Sequence, residues 1–160
     1  MKKLDKIILL VTIAMVLITY AFLCGFDSNQ KKQLSITKFD KPIESIHLDN
    51  LNYNIESIKL TNNIFSIVGW AYVKETSSVD VIPYIILKDE NNNLYKVKTR
   101  ITKRTDVTRK INDGKNYNNS GFLAQFSIAG LEKGKKYKIG IQIEINKTVY
   151  FKWTDKQITL

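Results

Sequence analysis

With one cysteine, one histidine and three arginines in 160 residues, several classes of function are closed off before any pattern is read. Cys24 has no second cysteine to pair with, so no disulfide can staple the fold and stability must come from packing. His47 alone cannot make a His-rich metal site. It also leaves Ser-His-Asp or Cys-His chemistry without a base unless His47 itself serves. Its setting, Ile46-His47-Leu48, reads as a half-buried strand position. Internal repeats, low-complexity linkers and any sign of a second domain are missing too, and no motif implies a cofactor. The acidic run Asp89-Glu90-Asn91-Asn92-Asn93 lacks the spaced ligands, central glycine and terminal glutamate of a calcium loop, so it reads as a hairpin tip.

Charge is absent from one long run, Ile7 to Phe26, and this is the most informative feature present. A helix of about 20 apolar residues spans the roughly 30 Å hydrocarbon layer of a membrane. Lys2, Lys3 and Lys6 precede it, and short basic flanks stay cytoplasmic, so the long C-terminal part is expected outside the cell membrane behind a single span. The expected organisation is a cytoplasmic tip (1–6), a transmembrane anchor or uncleaved signal (7–26), a polar stalk (27–33) and an extracytoplasmic domain (34–160). A cleaved signal peptide needs small residues before its cleavage point, and Leu23 and Gly25 make a poor pair. A lipoprotein modified at Cys24 is the third reading, although Ala21-Phe22-Leu23 departs from the usual Leu-x-(Ala/Gly)-Cys. A buried helix of a water-soluble protein would need a polar face, which this run lacks.

Lys and Arg number 25 against 15 Asp and Glu; setting aside Lys2, Lys3, Lys6 and Asp5 leaves 22 against 14, a net +8 for the outer part. Such a balance suits anionic partners, although coding DNA rich in A and T yields the same abundance of Lys, Ile and Asn. An outward-facing domain seldom meets nucleic acid, so none is expected as a partner.

Alternation predicts strands over Leu34 to Phe39, Ile43 to Leu48, Tyr53 to Leu60, Ile64 to Val73, Val79 to Leu87, Leu94 to Ile101, Phe122 to Ile128, Lys136 to Ile145, Thr148 to Thr154 and Lys156 to Leu160. Both alternate sets of Ile64 to Val73 are largely apolar, which places that strand centrally. Pro83 cannot donate to a ladder and predicts an edge or a bulge in its strand. Tyr137, Ile139, Ile141, Ile143 and Ile145 alternate cleanly with Lys138, Gly140, Gln142 and Glu144. Asn62-Asn63 and Asn146-Lys147 suit tight turns. From Thr102 to Ser120 the pattern stops, and no helix is expected outside the membrane. The fold class is all-β: an antiparallel β-sandwich, immunoglobulin-like or jelly-roll-like, behind one N-terminal transmembrane helix, with a small closed barrel as the alternative.

Several pieces occur together in one order: Val68-Gly69-Trp70-Ala71, Ile86-Leu87-Lys88, Arg104-Thr105-Asp106-Val107, Ser120-Gly121-Phe122 and Tyr137-Lys138-Ile139-Gly140-Ile141. As a set, spanning about Ile64 to Trp153, they resemble a small β-sandwich module of membrane-associated proteins in Gram-positive bacteria, some connected with cell-surface polysaccharide. The resemblance implies a β-sandwich beside a membrane segment in the cell envelope, and it carries over no catalytic residue.

The strongest candidate surface runs from Tyr95 to Tyr117. Lys96, Lys98 and Arg100 alternate on one face of their strand, Lys103, Arg104, Arg109 and Lys110 extend it, and all three arginines lie in this stretch. A guanidinium offers a planar fork for phosphate or carboxylate. The expectation is a non-catalytic binding module that engages an anionic wall polymer, an acidic polysaccharide or a neighbouring membrane protein. The bland alternative is a solvated face whose charges blunt a sheet edge. Asp106 is expected to pair with Arg104 or Arg109 and order the loop. Tyr95, Tyr117, Tyr72 and Trp153 are possible stacking platforms for sugar, although Trp70 and Trp153 in such apolar strands read as core residues. Carboxylate pairs drawn from Glu44, Glu56, Glu75, Asp80 and Glu144 could hydrolyse glycosides, but no spacing favours one.

Overall fold

The computed structural model describes residues 11–23, 36–39, 50–78 and 81–160. The chain divides into two compact units, Met1–Leu34 and Ser35–Leu160. In the first, a helix over residues 11–23 (α1) is exposed along its whole length. Among the described residues no helix is long and apolar enough to cross a membrane. The stalk, Cys24, His47 and the strand expected at Ile43 to Leu48 lie outside the described residues.

The second unit is mostly β, and every strand pairing in it is antiparallel. Its strands are β1 (Ile36–Phe39), β2 (Leu51–Thr61), β3 (Ile64–Val73), β4 (Pro83–Lys88), β5 (Leu94–Thr102), β6 (Gly121–Ser127), β7 (Lys136–Ile145) and β8 (Thr148–Thr159). They follow the order β2-β3-β6-β5-β4-β7-β8 in one nearly closed sheet. β5 is the shared element. Its first half pairs with β1 at Ile36↔Val97, and its second half pairs on that same side with β6 at Thr99↔Ala124, while β4 runs along its other side at Ile85↔Val97.

Period-2 alternation fills the interior. Phe65, Ile67, Val97, Phe122, Phe126, Ile139, Ile141 and Ile143 form one buried cluster, each at most 5% exposed. The Lys136–Ile145 alternation is read correctly, and β3 is central, between β2 and β6. Two-residue turns close the β2–β3 and β7–β8 hairpins, with positive φ at Asn62, Asn63, Asn146 and Lys147 as primed turns require. Tyr95, Tyr117 and Tyr137 are buried, and each phenol finds a partner: Tyr95 and Tyr117 donate to Asp89 and Asp113, and Tyr137 accepts from the Glu132 amide.

Three expectations need correction. The strand containing Pro83 is neither at an edge nor bulged at the proline: β4 lies between β5 and β7 and starts at Pro83, where a missing N–H removes no interior ladder bond. β8 is one strand instead of two, with its irregularity after Thr154, whose hydroxyl donates to Ile139 O and accepts from the Lys156 amide. The break from Thr102 to Ser120 holds a short helix, α2 (Thr105–Ile111). Asp106 in its first turn and Arg109 and Lys110 in its last complement the helix dipole, and Asn112 ends it in the left-handed conformation.

Candidate functional site

The basic stretch does not survive as one surface. Lys96, Lys98 and Arg100 do share the outer row of β5, and Lys103 is exposed just beyond it. Arg109 sits exposed on α2. Tyr95 is 8% exposed and Tyr117 is fully buried, so neither can be a stacking platform; alternation and packing turn both inward. Burial, then the bond to Asp113, pushes the Tyr117 phenol up to about 12. β5 is an interior strand, so its lysines do not blunt an edge.

Arg104 is withdrawn from any anion by two carboxylates. Nε and Nη2 hold Asp106 in a bidentate pair at 2.9 and 2.7 Å, and Nη1 reaches Glu56 at 2.7 Å. The hydrogen bonds from Arg104 hold Asp106 down to about 2, and Asp106 with Glu56 raises the guanidinium in turn. The expected pairing of Asp106 with Arg104 is therefore present, and Glu56 joins it. The backbone builds this arrangement deliberately. Glu56 is the extra residue of a β-bulge between Ile55 and Ser57 opposite β3, a device that re-aims a side chain. Gly69 lies across from that bulge, where a Cβ would strike the Asn54 carbonyl, and a Cβ on Gly121 would strike Thr102 and the Arg104 stem.

Beside this network a groove of about 420 Å³ is lined by Asn54, Glu56, Trp70, Tyr72, Arg104, Asp106, Val107, Lys110 and Ile111. Trp70 and Tyr72 stack with centroids 5.8 Å apart at 25°, and Tyr72 packs on buried Tyr117 at 4.4 Å. Trp70 is thus a half-buried outer-face residue, against the core position read from its strand.

A second surface covers the outer face of β5, β4, β7 and β8. Phe151 and Trp153 meet edge to face at 4.7 Å over Gly140, whose missing side chain leaves them room. Trp153, also read as core, is half-buried on this face. The ammonium groups of Lys88 and Lys138 lie 5.4 and 5.6 Å from its ring, and that of Lys96 lies 3.9 Å from the Tyr84 ring. Burial lowers the Lys96 pKa, and Glu144 opposes that shift. Lys88 and Lys138 are directly paired across β4 and β7.

Sequence reasoning missed Asn54, Tyr84, Lys88 and Lys138 as site residues, and it named Glu56 only among loose carboxylates, never as a partner of Arg104. The two lysines were legible in principle as outward positions of alternating strands; Glu56 was not, because a bulge breaks the alternation that would place it. Among the described residues no group of His, Cys, Asp and Glu could hold a metal ion. The fold and these two surfaces define an antiparallel β module with an aromatic groove and a lysine-rich face. No family model, curated protein or solved structure matches the chain.

Proposed function

We propose that this chain is a membrane-tethered, non-catalytic binding module whose β unit lies outside the cell membrane and engages an anionic polysaccharide of the envelope. The tether reading is supported by α1, which has no charged residue and exposes Met15, Ile18, Phe22 and Leu23 at 64% or more. Thr19 donates back to Met15 O and Val16 O, so its hydroxyl needs no water. The β unit fits a two-layer sandwich in which β5 serves both layers, in keeping with the resemblance to the Gram-positive membrane module.

One observation carries the ligand class: Lys88 and Lys138 face each other across two strands at Trp153. Like charges directly opposite are unfavourable, and further along the same face Lys96 stands opposite Ile86 and Lys98 opposite Tyr84. Among the described residues Lys88, Lys98 and Lys138 form no ion pair. A phosphate- or carboxylate-bearing chain lying across this face would relieve the repulsion while its sugars rest on Trp153 and Tyr84. Against catalysis, Glu56 and Asp106 both spend their carboxylates on Arg104, and Asp106 is held down to about 2, whereas glycoside hydrolysis needs an acid with a raised pKa.

The test uses the full chain in neutral-lipid nanodiscs, titrated with purified phosphate-bearing wall polymer and with neutral glycan from ~50 to ~500 mM salt. Screening shortens to a few ångströms over that range, so polymer binding should weaken steeply. Lys88→Gln with Lys138→Gln should weaken it further. Parent-like binding by the double variant would refute the lysine face. Protease shaving of intact cells tests the tether: a protected C-terminal tag would refute the outside placement, and release of the whole β unit into the medium would replace the anchor with a cleaved signal.

A further inference from the structure

We propose that the groove between β2, β3 and α2 is a separate site for a neutral saccharide unit. Its volume of about 420 Å³ falls within the range of small-molecule sites, and its composition is of the same kind: an aromatic floor with a few fixed polar groups. The charged side chains lining it are Glu56, Asp106, Arg104 and Lys110, two of each sign, so the lining is neutral overall. A neutral ligand therefore suits it, whereas the lysine face on the other part of the sheet suits an anion.

The polar groups also match a sugar in kind. A pyranose presents a face of C–H bonds to an aromatic ring and a rim of hydroxyls, each of which donates one hydrogen bond and accepts others. Trp70, stacked on Tyr72, supplies the platform. Glu56 and Asp106 are acceptors fixed in place by Arg104, and each keeps lone pairs beyond that ion pair. Asn54 adds donor and acceptor, and Lys110 adds donors. Asp106, held down to about 2, stays an acceptor at any pH the envelope meets.

The construction points the same way. A bulge that re-aims Glu56, Gly69 facing the bulge and Gly121 clearing the path of Arg104 come from three separate stretches, and all bear on this one groove. Joining α2 to the sheet needs only one of the two carboxylates on Arg104. Two carboxylates held at one rim, with an open aromatic floor between strand and helix, is the geometry of a site.

The experiment uses the full chain in nanodiscs with Trp153→Phe, which leaves Trp70 as its only tryptophan. Glucose, galactose, mannose, N-acetylglucosamine and their short β-linked oligomers are titrated while Trp70 emission is followed. Saturable quenching by at least one of them is expected, unchanged across ~50 to ~500 mM salt because no net charge is involved. Asn54→Ala and Lys110→Ala, both on exposed side chains, should each raise Kd by roughly tenfold without altering the melting temperature. The inference is overturned if no saccharide quenches, if quenching ignores both substitutions, or if an anionic sugar or a nucleoside binds more tightly than every neutral sugar. Lys88→Gln with Lys138→Gln should leave this binding intact, so failure of the groove and failure of the lysine face are read separately.

Discussion

At the residue scale, Asp89 and Thr154 are taken out of water but held by identifiable partners, whereas the Ser120 hydroxyl is buried with none, and that makes the held groups testable. Asp89, 6% exposed, accepts bonds from the Asn91 and Asn93 amides, the Asn93 side chain and the Tyr95 phenol. Burial alone would raise its pKa, but these donors outweigh burial and hold it below the ordinary carboxylate value. A depressed folded pKa stabilises above the unfolded value of about 3.9, and that contribution is lost as pH falls through the lower folded value. Asp89→Asn should therefore cost about 1–2 kcal/mol at neutral pH and flatten the loss of stability below about pH 4, as followed by urea unfolding at pH 7 and pH 3. Gly140 is constrained from outside: a Cβ there would sit 2.7 Å from Phe151 and 2.9 Å from Trp153. Gly140→Ala should lower stability by about 1–3 kcal/mol and shift Trp153 emission, since the ring pair must lift off the sheet. An unchanged spectrum would mean that the rings do not rest there.

At the scale of elements, α2 is too short to be stable alone and is held by what it touches. Val107 packs with Tyr72 and Tyr117, Thr108 bonds Asn118 and the Tyr117 amide, and Arg104 ties the start of the helix to β2. Removing the guanidinium with Arg104→Met should release Asp106 from about 2 toward the ordinary 3.9, which carboxyl NMR would read directly. A value that stays near 2 would place the cause in the helix end instead. Val107 and Ile111, one turn apart, were the only apolar helical signal in the stretch, and a single pair is too little to outweigh its threonines and asparagines. The β-branched and aromatic alternation of β3 and β7 was far stronger, and both strands appear with the bounds their sequence suggested.

At the scale of the molecule, the β unit depends on one interior shared by nearly every strand. Ile141 is fully buried in it, whereas Ile82 is 45% exposed. A carboxylate placed at Ile141 has no partner there and costs several kcal/mol, against the roughly 5–15 kcal/mol that holds a domain together. Ile141→Asp should abolish the β-type circular dichroism and the cooperative melt, and Ile82→Asp should leave both nearly unchanged. If the two variants melt alike, the strand order around β7 is wrong.

What the sequence determined by itself was local: which residues alternate, which asparagines can turn the chain, and which run is free of charge. Each follows from side-chain period and backbone preference within a few residues, so strands, turns and the all-β class were legible. Which strands neighbour one another, and hence which outward residues meet, was decided only by the tertiary structure. Lys88 and Lys138 become a pair because β4 lies beside β7, fifty residues apart in the chain. Arg104 reads as a cation shared at most with Asp106 until a bulge in β2 brings Glu56 to it. Tyr95 and Tyr117 read as platforms until strand direction and packing turn both rings inward. Charge and aromaticity belong to the residue, but exposure and partnership belong to the fold, because they depend on groups that the chain brings together only when its interior closes.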